Sequence, residues 1–478
     1  MRSALAQAAA VRAGELSAVE LVETAIARCE QANPELNFLV TDRFEQALAD
    51  ARGPLPAGPF TGVPMLVKDL TETAGLRTTF SSRAFADHVP TTDAATVRRM
   101  KEAGFVVIGK SNTPEFGITA VTESDLNGAC RNPWDPERTP GGSSGGASAA
   151  VAAGVLELAH GSDGGGSIRV PASCCGLFGI KPSRGRVSPA PFVSGSLELS
   201  QSGPLSHTVR DAAAFLDVLA GYEPGDAHWA APPARPFVEE VGADPGRLRI
   251  AFTTEPAISY PVEPAVAGVA QAAADALAAL GHDVFDATPP WRDDSLLDTF
   301  AHLWQLTPAL YPVKDESLLM PINRGLAQTA REQSSVAYAQ AVGALLRAAR
   351  RIVPFWAEFD VVLTPGLAKL PVPIGWVFEP DDPWDQFNRG GEFTPFTPIV
   401  NVTGQPAAMV PFGVVEGLPV GVQLIGRPAD EATLFRLAAQ MEEAHPWPRT
   451  HAADPGGLTS PSQYSTWSRR AMRPTPRQ

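Results

Sequence analysis

A chain of 478 residues, 44% hydrophobic and 19% charged, has the balance of a globular protein with a substantial core, so disorder is confined to short segments. Its formal net charge of -14 repels phosphate backbones and argues against nucleic acid as a direct ligand. Four cysteines, Cys29, Cys130, Cys174 and Cys175, are too few for a disulfide framework and lack the paired spacing of a zinc site, while no run of about 18 apolar residues offers a membrane span; a reducing, cytoplasmic setting fits best.

The Ala-rich start, interrupted by Gln7 and Arg12, leads into an amphipathic pattern rather than a cleavage site. Ser17 with Glu20 reads as a capping box, and Leu21, Val22, Ala25, Ile26 and Cys29 then share one helical face. From Gly62 to Asp69 an apolar run ends in Lys68, the pattern of a buried strand with a charged tip. Ala94 to Ala103 predicts a helix closed by Gly104, and Phe105 to Ile108 a short buried strand. Gly104 to Ser111 also matches the spacing of a phosphate-binding loop, but its interior is Phe-Val-Val-Ile and it follows a helix. Its amides are expected in a sheet ladder and no nucleotide is expected.

Two glycine-serine clusters follow, Gly141 to Gly146 and Gly164 to Ser167, and the intervening Ala147 to Ala159 reads as a small-residue helix. Leu248 to Thr253 predicts a strand, Ala265 to Leu280 a helix stopped by Gly281, and His282 to Asp286 another strand, an alternation that indicates an α/β sheet. Ala407 to Val415 and Val420 to Ile425 flank Glu416-Gly417-Leu418-Pro419, two strands and a turn. Residues 458–478, rich in Ser, Pro and Arg, read as a poorly ordered tail.

Amide hydrolysis needs a nucleophile, a base that can protonate the leaving nitrogen, and donors for the oxyanion. Ser167 follows three glycines whose N–H groups can turn toward a substrate carbonyl, which makes it the natural attacker. Ser143, in its own glycine cluster, could relay a proton. Lys68 can be the base if burial disfavours its charged form. The histidines offer no triad base; His160 and His207, nearest the clusters, read as structural hydrogen-bonders. Taken singly, a strand-end lysine is usually a solvated charge and a Gly-Ser run a turn, so the reading rests on the combination.

The ordered set Gly62-Val63-Pro64, Lys68-Asp69, Gly141 to Gly146, Gly161 to Arg169, Pro171-Ala172, Cys175-Gly176, Gly179, Lys181-Pro182, Gly185 to Ser188, Gly404-Gln405-Pro406 and Gly417 to Gln423 resembles the amidase signature family. The resemblance covers nearly all of the chain except the tail. It implies a single α/β/α domain over residues 1–457 with a large mixed central sheet and a signature core at about 60–210, without metal or organic cofactor. It also implies a Ser–cisSer–Lys arrangement: Ser167 as acyl-enzyme nucleophile, Ser143 as the bridging serine after a cis peptide, and Lys68 as ultimate base. Gly164, Gly165, Gly166 and the Ser167 amide would form the oxyanion hole. Asp163 and Arg169 would orient the loop, equally compatible with a plain structural ion pair, and Ser144 would bond Lys68 or Ser143. Cys174 and Cys175 read as packed thiols. His207 departs from the family pattern, where many members carry arginine, an effect expected on local pairing rather than catalysis.

Asn132-Pro133-Trp134, Ala159-His160-Gly161 and Pro171-Ala172-Ser173 lean toward bacterial amidases that include aryl acylamidases and 6-aminohexanoate cyclic dimer hydrolases. The expected partner is therefore a small-molecule amide, with a homodimer, common among such proteins, also possible. Specificity is expected in Phe116 to Asn127, Leu197 to Gln201, Leu303 to Asn323 and Trp376 to Phe396. Two other readings stand beside this one. The A subunit of a glutamine-dependent tRNA amidotransferase usually carries an Asn-Leu-Ala-Arg-Tyr-Asp-Gly-like segment late in the chain, absent here; a non-catalytic protein on the same fold would not be labelled at Ser167.

Overall fold

The capping box at Ser17 closes in the computed structural model, which describes residues 2–192, 196–293 and 295–448. Ser17 Oγ accepts from the Glu20 amide at 3.1 Å and the Glu20 carboxylate accepts from the Ser17 amide at 2.7 Å, starting a helix over Ala18–Leu36. Val22, Ala25 and Cys29 are buried along it, with Leu21 and Ile26 partly covered. The predicted tail lies outside the described residues.

The strands are β1 (Leu39–Asp42), β2 (Pro64–Lys68), β3 (Val106–Ser111), β4 (Leu158–Asp163), β5 (Phe178–Lys181), β6 (Gln201–Ser206), β7 (Arg249–Phe252), β8 (Asp283–Asp286), β9 (Val361–Pro365), β10 (Ala407–Val415) and β11 (Leu418–Gly426). Eight of them form one mixed sheet in the order β4-β6-β5-β10-β11-β9-β7-β8. It is antiparallel from β4 to β9 and parallel across β9, β7 and β8. Alternate residues of the central strands enter different cores: Ala408, Leu363 and Leu424 pack under helices Val209–Leu219, Pro264–Ala279 and Glu431–Ala444, while Ala407, Val362 and Ile425 face the opposite layer. Covering both faces in this way gives the expected α/β/α architecture.

A second, three-stranded sheet of order β1-β3-β2 carries Lys68, with β2 parallel to β3 and Lys68 opposite Ser111. The phosphate-loop look-alike lies here: Gly104, at φ +90°, follows helix Ala95–Glu102, and Val106 to Ser111 is the buried middle strand. The hairpin of β10 and β11 turns at Glu416 and Gly417, with pairing resumed already at Leu418.

One element differs from expectation. The Ala147 to Ala159 run is not a continuous helix: the helix spans Gly145–Ala152, and Leu158 and Ala159 belong to β4. Gly154, at φ +70°, donates to the Val151 carbonyl at 2.8 Å and Val155 donates to Ala150 at 3.0 Å, a left-handed helix stop.

Candidate active site

Glycines in three adjacent strands let a helix approach the edge of the large sheet. A methyl at Gly161, Gly179 or Gly203 would lie 3.2, 2.9 or 3.0 Å from side-chain carbons of Ile168. Ile168 therefore fills the space these residues leave, and it is the residue immediately after Ser167. Helix Arg169–Cys175 begins there, buried throughout. The other serine cluster seats itself in the same way: a methyl at Gly146 would fall 2.3 Å from the Asn112 amide at the end of β3. The small sheet and helix Gly145–Ala152 are thereby pressed together.

These contacts bring Lys68, Ser143 and Ser167 into one place. Lys68 is fully buried and Ser143 is 2% exposed, whereas Ser167, at 8%, opens onto a cleft. The peptide between Gly142 and Ser143 is cis. Lys68 Nζ lies 2.8 Å from Ser143 Oγ, 3.1 Å from Ser162 Oγ and 3.2 Å from the Ser162 carbonyl oxygen. The Ser144 amide donates to the Ser167 carbonyl at 3.2 Å, tying the two serine loops together. No hydrogen bond joins the Ser143 and Ser167 hydroxyls to each other in this arrangement; catalytic hydrogen bonds commonly close only when substrate is present.

Burial lowers the Lys68 amine to about 7, against the upward pull of the Asp163 carboxylate. Burial alone would raise the Asp163 carboxyl, but Arg169 and the further influence of Lys181 and Asn401 hold it well below the usual carboxylate range. Asp163 and Arg169 form a fully buried ion pair at 2.9 Å. Asp163 also accepts from the Gly166 amide at 2.8 Å and the Ile168 amide at 3.2 Å. Arg169 extends the network, donating to Gln423 Oε1 at 2.6 Å, Asn401 Oδ1 at 2.6 Å and the Thr397 carbonyl at 3.0 Å. Thr397 Oγ1 in turn donates to the Gly165 carbonyl at 2.7 Å.

Three expectations need correcting. The Gly166 N–H donates to Asp163 in this structure instead of standing free for an oxyanion; Gly166 contributes its φ of +134° and leaves room for Thr397, whose Oγ1 would be 2.2 Å from a methyl there. The N–H groups of Gly164, Gly165 and Ser167 have no acceptor among the described residues. Ser144 Oγ bonds neither Lys68 nor Ser143, because it faces β4, donating to the Ser162 carbonyl at 3.2 Å and accepting from the Ser162 amide at 3.3 Å. His160 is not a hydrogen-bonder: it is fully buried, neither ring nitrogen has a partner among the described residues, and burial, with Lys110 and Lys68 nearby, drops its pKa to about 3. His207 does bond, through Nε2 to the Val151 carbonyl at 2.8 Å.

Cys174 and Cys175 are buried and their thiols are pushed far up by desolvation, as packed cysteines should be. Sequence reasoning missed Ser162, Thr397, Asn401 and Gln423. Ser162 sits inside the quoted Gly161 to Arg169 run, two positions past His160 on β4, and strand alternation could have flagged it.

The cleft above Ser167 is narrow, leaving about 60 Å³ in which a water-sized sphere can move. Ile118 to Ala120, Trp304, and Gln386, Phe387, Gly390, Gly391 and Thr394 contribute to its lining, so three of the four predicted specificity segments reach it. Leu197 to Gln201 instead stands behind the glycine loop, where the Leu199 carbonyl accepts from Asn401. Leu297 and Phe300, from helix Leu296–Trp304, are additional wall residues.

Comparison with known proteins places the chain in a family. A family model described as Amidase matches residues 20–435. The 6-aminohexanoate-cyclic-dimer hydrolase of Paenarthrobacter ureafaciens is 38% identical over 475 residues, covering 93% of this chain and 95% of that protein. A solved 6-aminohexanoate cyclic dimer hydrolase in complex with substrate superposes with a TM-score of 0.89 at 36% identity, over 93% of this chain and 97% of that one. A bacterial aryl acylamidase of the amidase signature family does so with 0.84 at 26% identity, over 99% of each. With the family model spanning most of its length and these relatives matched nearly end to end, the chain belongs to the amidase family.

Proposed function

We propose that this amidase hydrolyses a small-molecule carboxamide through an acyl-enzyme on Ser167, with Lys68 as base and Ser143 as the relay between them. The observation that carries the reading is the 2.8 Å contact of a buried Lys68 amine with Ser143 beside a cleft whose floor is Ser167. An uncharged amine has two N–H donors and one lone pair. Ser162 supplies two acceptors, its carbonyl and its hydroxyl, which leaves the lone pair for the Ser143 O–H. Ser143 would then accept the proton of Ser167 as that oxygen attacks the amide carbon. The Gly164, Gly165 and Ser167 amides are the donors available to the oxyanion. Collapse returns the proton to the leaving nitrogen, releasing amine or ammonia, and water attacking the ester by the reverse relay frees the carboxylate.

The alternative of an amidotransferase subunit lacks its usual late segment in this sequence. All four cysteines are free and buried, which supports a cytoplasmic setting; among the described residues no helix is long and apolar enough to cross a membrane. The test is a fluorophosphonate probe with the purified chain: labelling that vanishes in Ser167→Ala, alongside hydrolysis of simple amides without partner subunits, is the expected result. Labelling retained in Ser167→Ala, or activity only with partners and tRNA, would overturn the assignment.

A further inference from the structure

Resting on that reading, we infer that the cleft takes an uncharged, apolar acyl group, and that Trp304 is the specificity-determining residue that limits its size. Leu297, Phe300 and Trp304 recur at i, i+3 and i+7 on helix Leu296–Trp304, so one helical face forms a wall. Phe387 on helix Pro383–Phe393 and Val170 beside the nucleophile add further apolar surface. Among the described residues lining the cleft there is no Asp, Glu, Lys, Arg or His; its polar side chains are hydroxyls and the amide of Gln386. A carboxylate or ammonium on the acyl chain would therefore lose its water without gaining a counter-ion.

Trp304 touches the reacting end of this cleft. Its six-membered ring lies 3.0 and 3.1 Å from where a methyl on Gly164 would sit, and 3.7 Å from the corresponding point on Gly165. Those glycines bear two of the available oxyanion amides, so the indole edge stands beside the carbonyl that they would hold. The ring cannot easily swing away: its Nε1 donates to the Ile118 carbonyl at 3.1 Å and its plane stacks on Phe300 at 5.2 Å and 27°. A fixed wall at that point sets how much bulk can follow the carbonyl carbon.

The experiment is a p-nitroanilide series with one leaving group and varied acyl parts: acetyl, pentanoyl, succinyl and cyclohexanecarbonyl. Pentanoyl and succinyl differ mainly in a terminal carboxylate, and kcat/KM should favour pentanoyl by about a hundredfold. Trp304→Phe should raise the cyclohexanecarbonyl to acetyl ratio about tenfold. Phe387→Ala, on the facing helix, should move it in the same direction and stands in should Trp304→Phe not fold. Equal turnover of succinyl and pentanoyl, an unchanged ratio in folded variants, or failure of every anilide on enzyme that the fluorophosphonate labels at Ser167 would each overturn the inference alone. Absence of labelling would bring down the proposed function and this inference with it.

Discussion

Between pH 8 and pH 5 the amine of Lys68 should pass from mostly uncharged to almost wholly charged, and the rate should follow it. With its pKa lowered by burial to about 7, half of the molecules carry a free lone pair at pH 7. Only roughly one in ten do at pH 6 and one in a hundred at pH 5. A solvated lysine near 10.4 would be uncharged in roughly one molecule in 2,500 at pH 7, so burial raises the supply of base on the order of a thousandfold. The assay is kcat/KM for an uncharged amide across pH 5 to 9, where the substrate has no titration of its own. The expected profile falls tenfold per pH unit on the acid side, bends near 7, and is flat above 8. Lys68→Ala should drop the whole curve by orders of magnitude and abolish the bend. A wild-type rate constant down to pH 5.5, or the same acid limb persisting in Lys68→Ala, would refute the lysine-base reasoning.

Ser162→Ala removes one of three partners of the Lys68 amine while leaving the backbone carbonyl, and should lower kcat roughly 3- to 10-fold with KM little changed, the scale of one hydrogen bond. Arg169→Met leaves Asp163 buried without its counter-ion and should cost about 3–5 kcal/mol in a denaturant titration, a loss that Arg169→Lys only partly restores. Lys68→Met gives a stability test with a defined sign. The unfolded chain keeps that amine charged up to about 10.4, so between about 7 and 10.4 it holds more protons than the folded one, and wild-type stability should rise with pH across that window. The variant should therefore melt above wild type at pH 6, with the gap narrowing toward pH 10; a gap that does not change with pH would contradict the buried, perturbed amine.

Much of the fold was legible because its signals are local. The capping box at Ser17 needs only Glu20, the strand ending in Lys68 announces itself by its apolar run, and the last hairpin is written in two apolar runs about Glu416 and Gly417. The error over Ala147 to Ala159 has the opposite cause. A run of alanines carries no amphipathic period to show where helix gives way to strand, and the one punctuation mark, Gly154, was passed over. In the site, Lys68, Ser143 and Ser167 stand out through their surroundings, and the motif resemblance orders them. The supports do not: Asn401 and Gln423 meet Arg169 from 232 and 254 residues away, and no pattern in their own neighbourhoods hints at a buried guanidinium. Nor could a single Trp304 on an apolar helix face be told from core until the glycines beside it were placed in space.

That long-range reach bears on how the enzyme comes into being. A ribosome will have delivered the lysine and both serines long before Asn401 and Gln423 leave its exit tunnel. Until they do, the guanidinium beside the nucleophile lacks two of its acceptors, and the loop it steadies is only partly held. Chain order thus completes this support late: the two side chains that finish the guanidinium's bonding follow Arg169 by 232 and 254 residues, so the last strands of the large sheet must be in place before the loop is fully held.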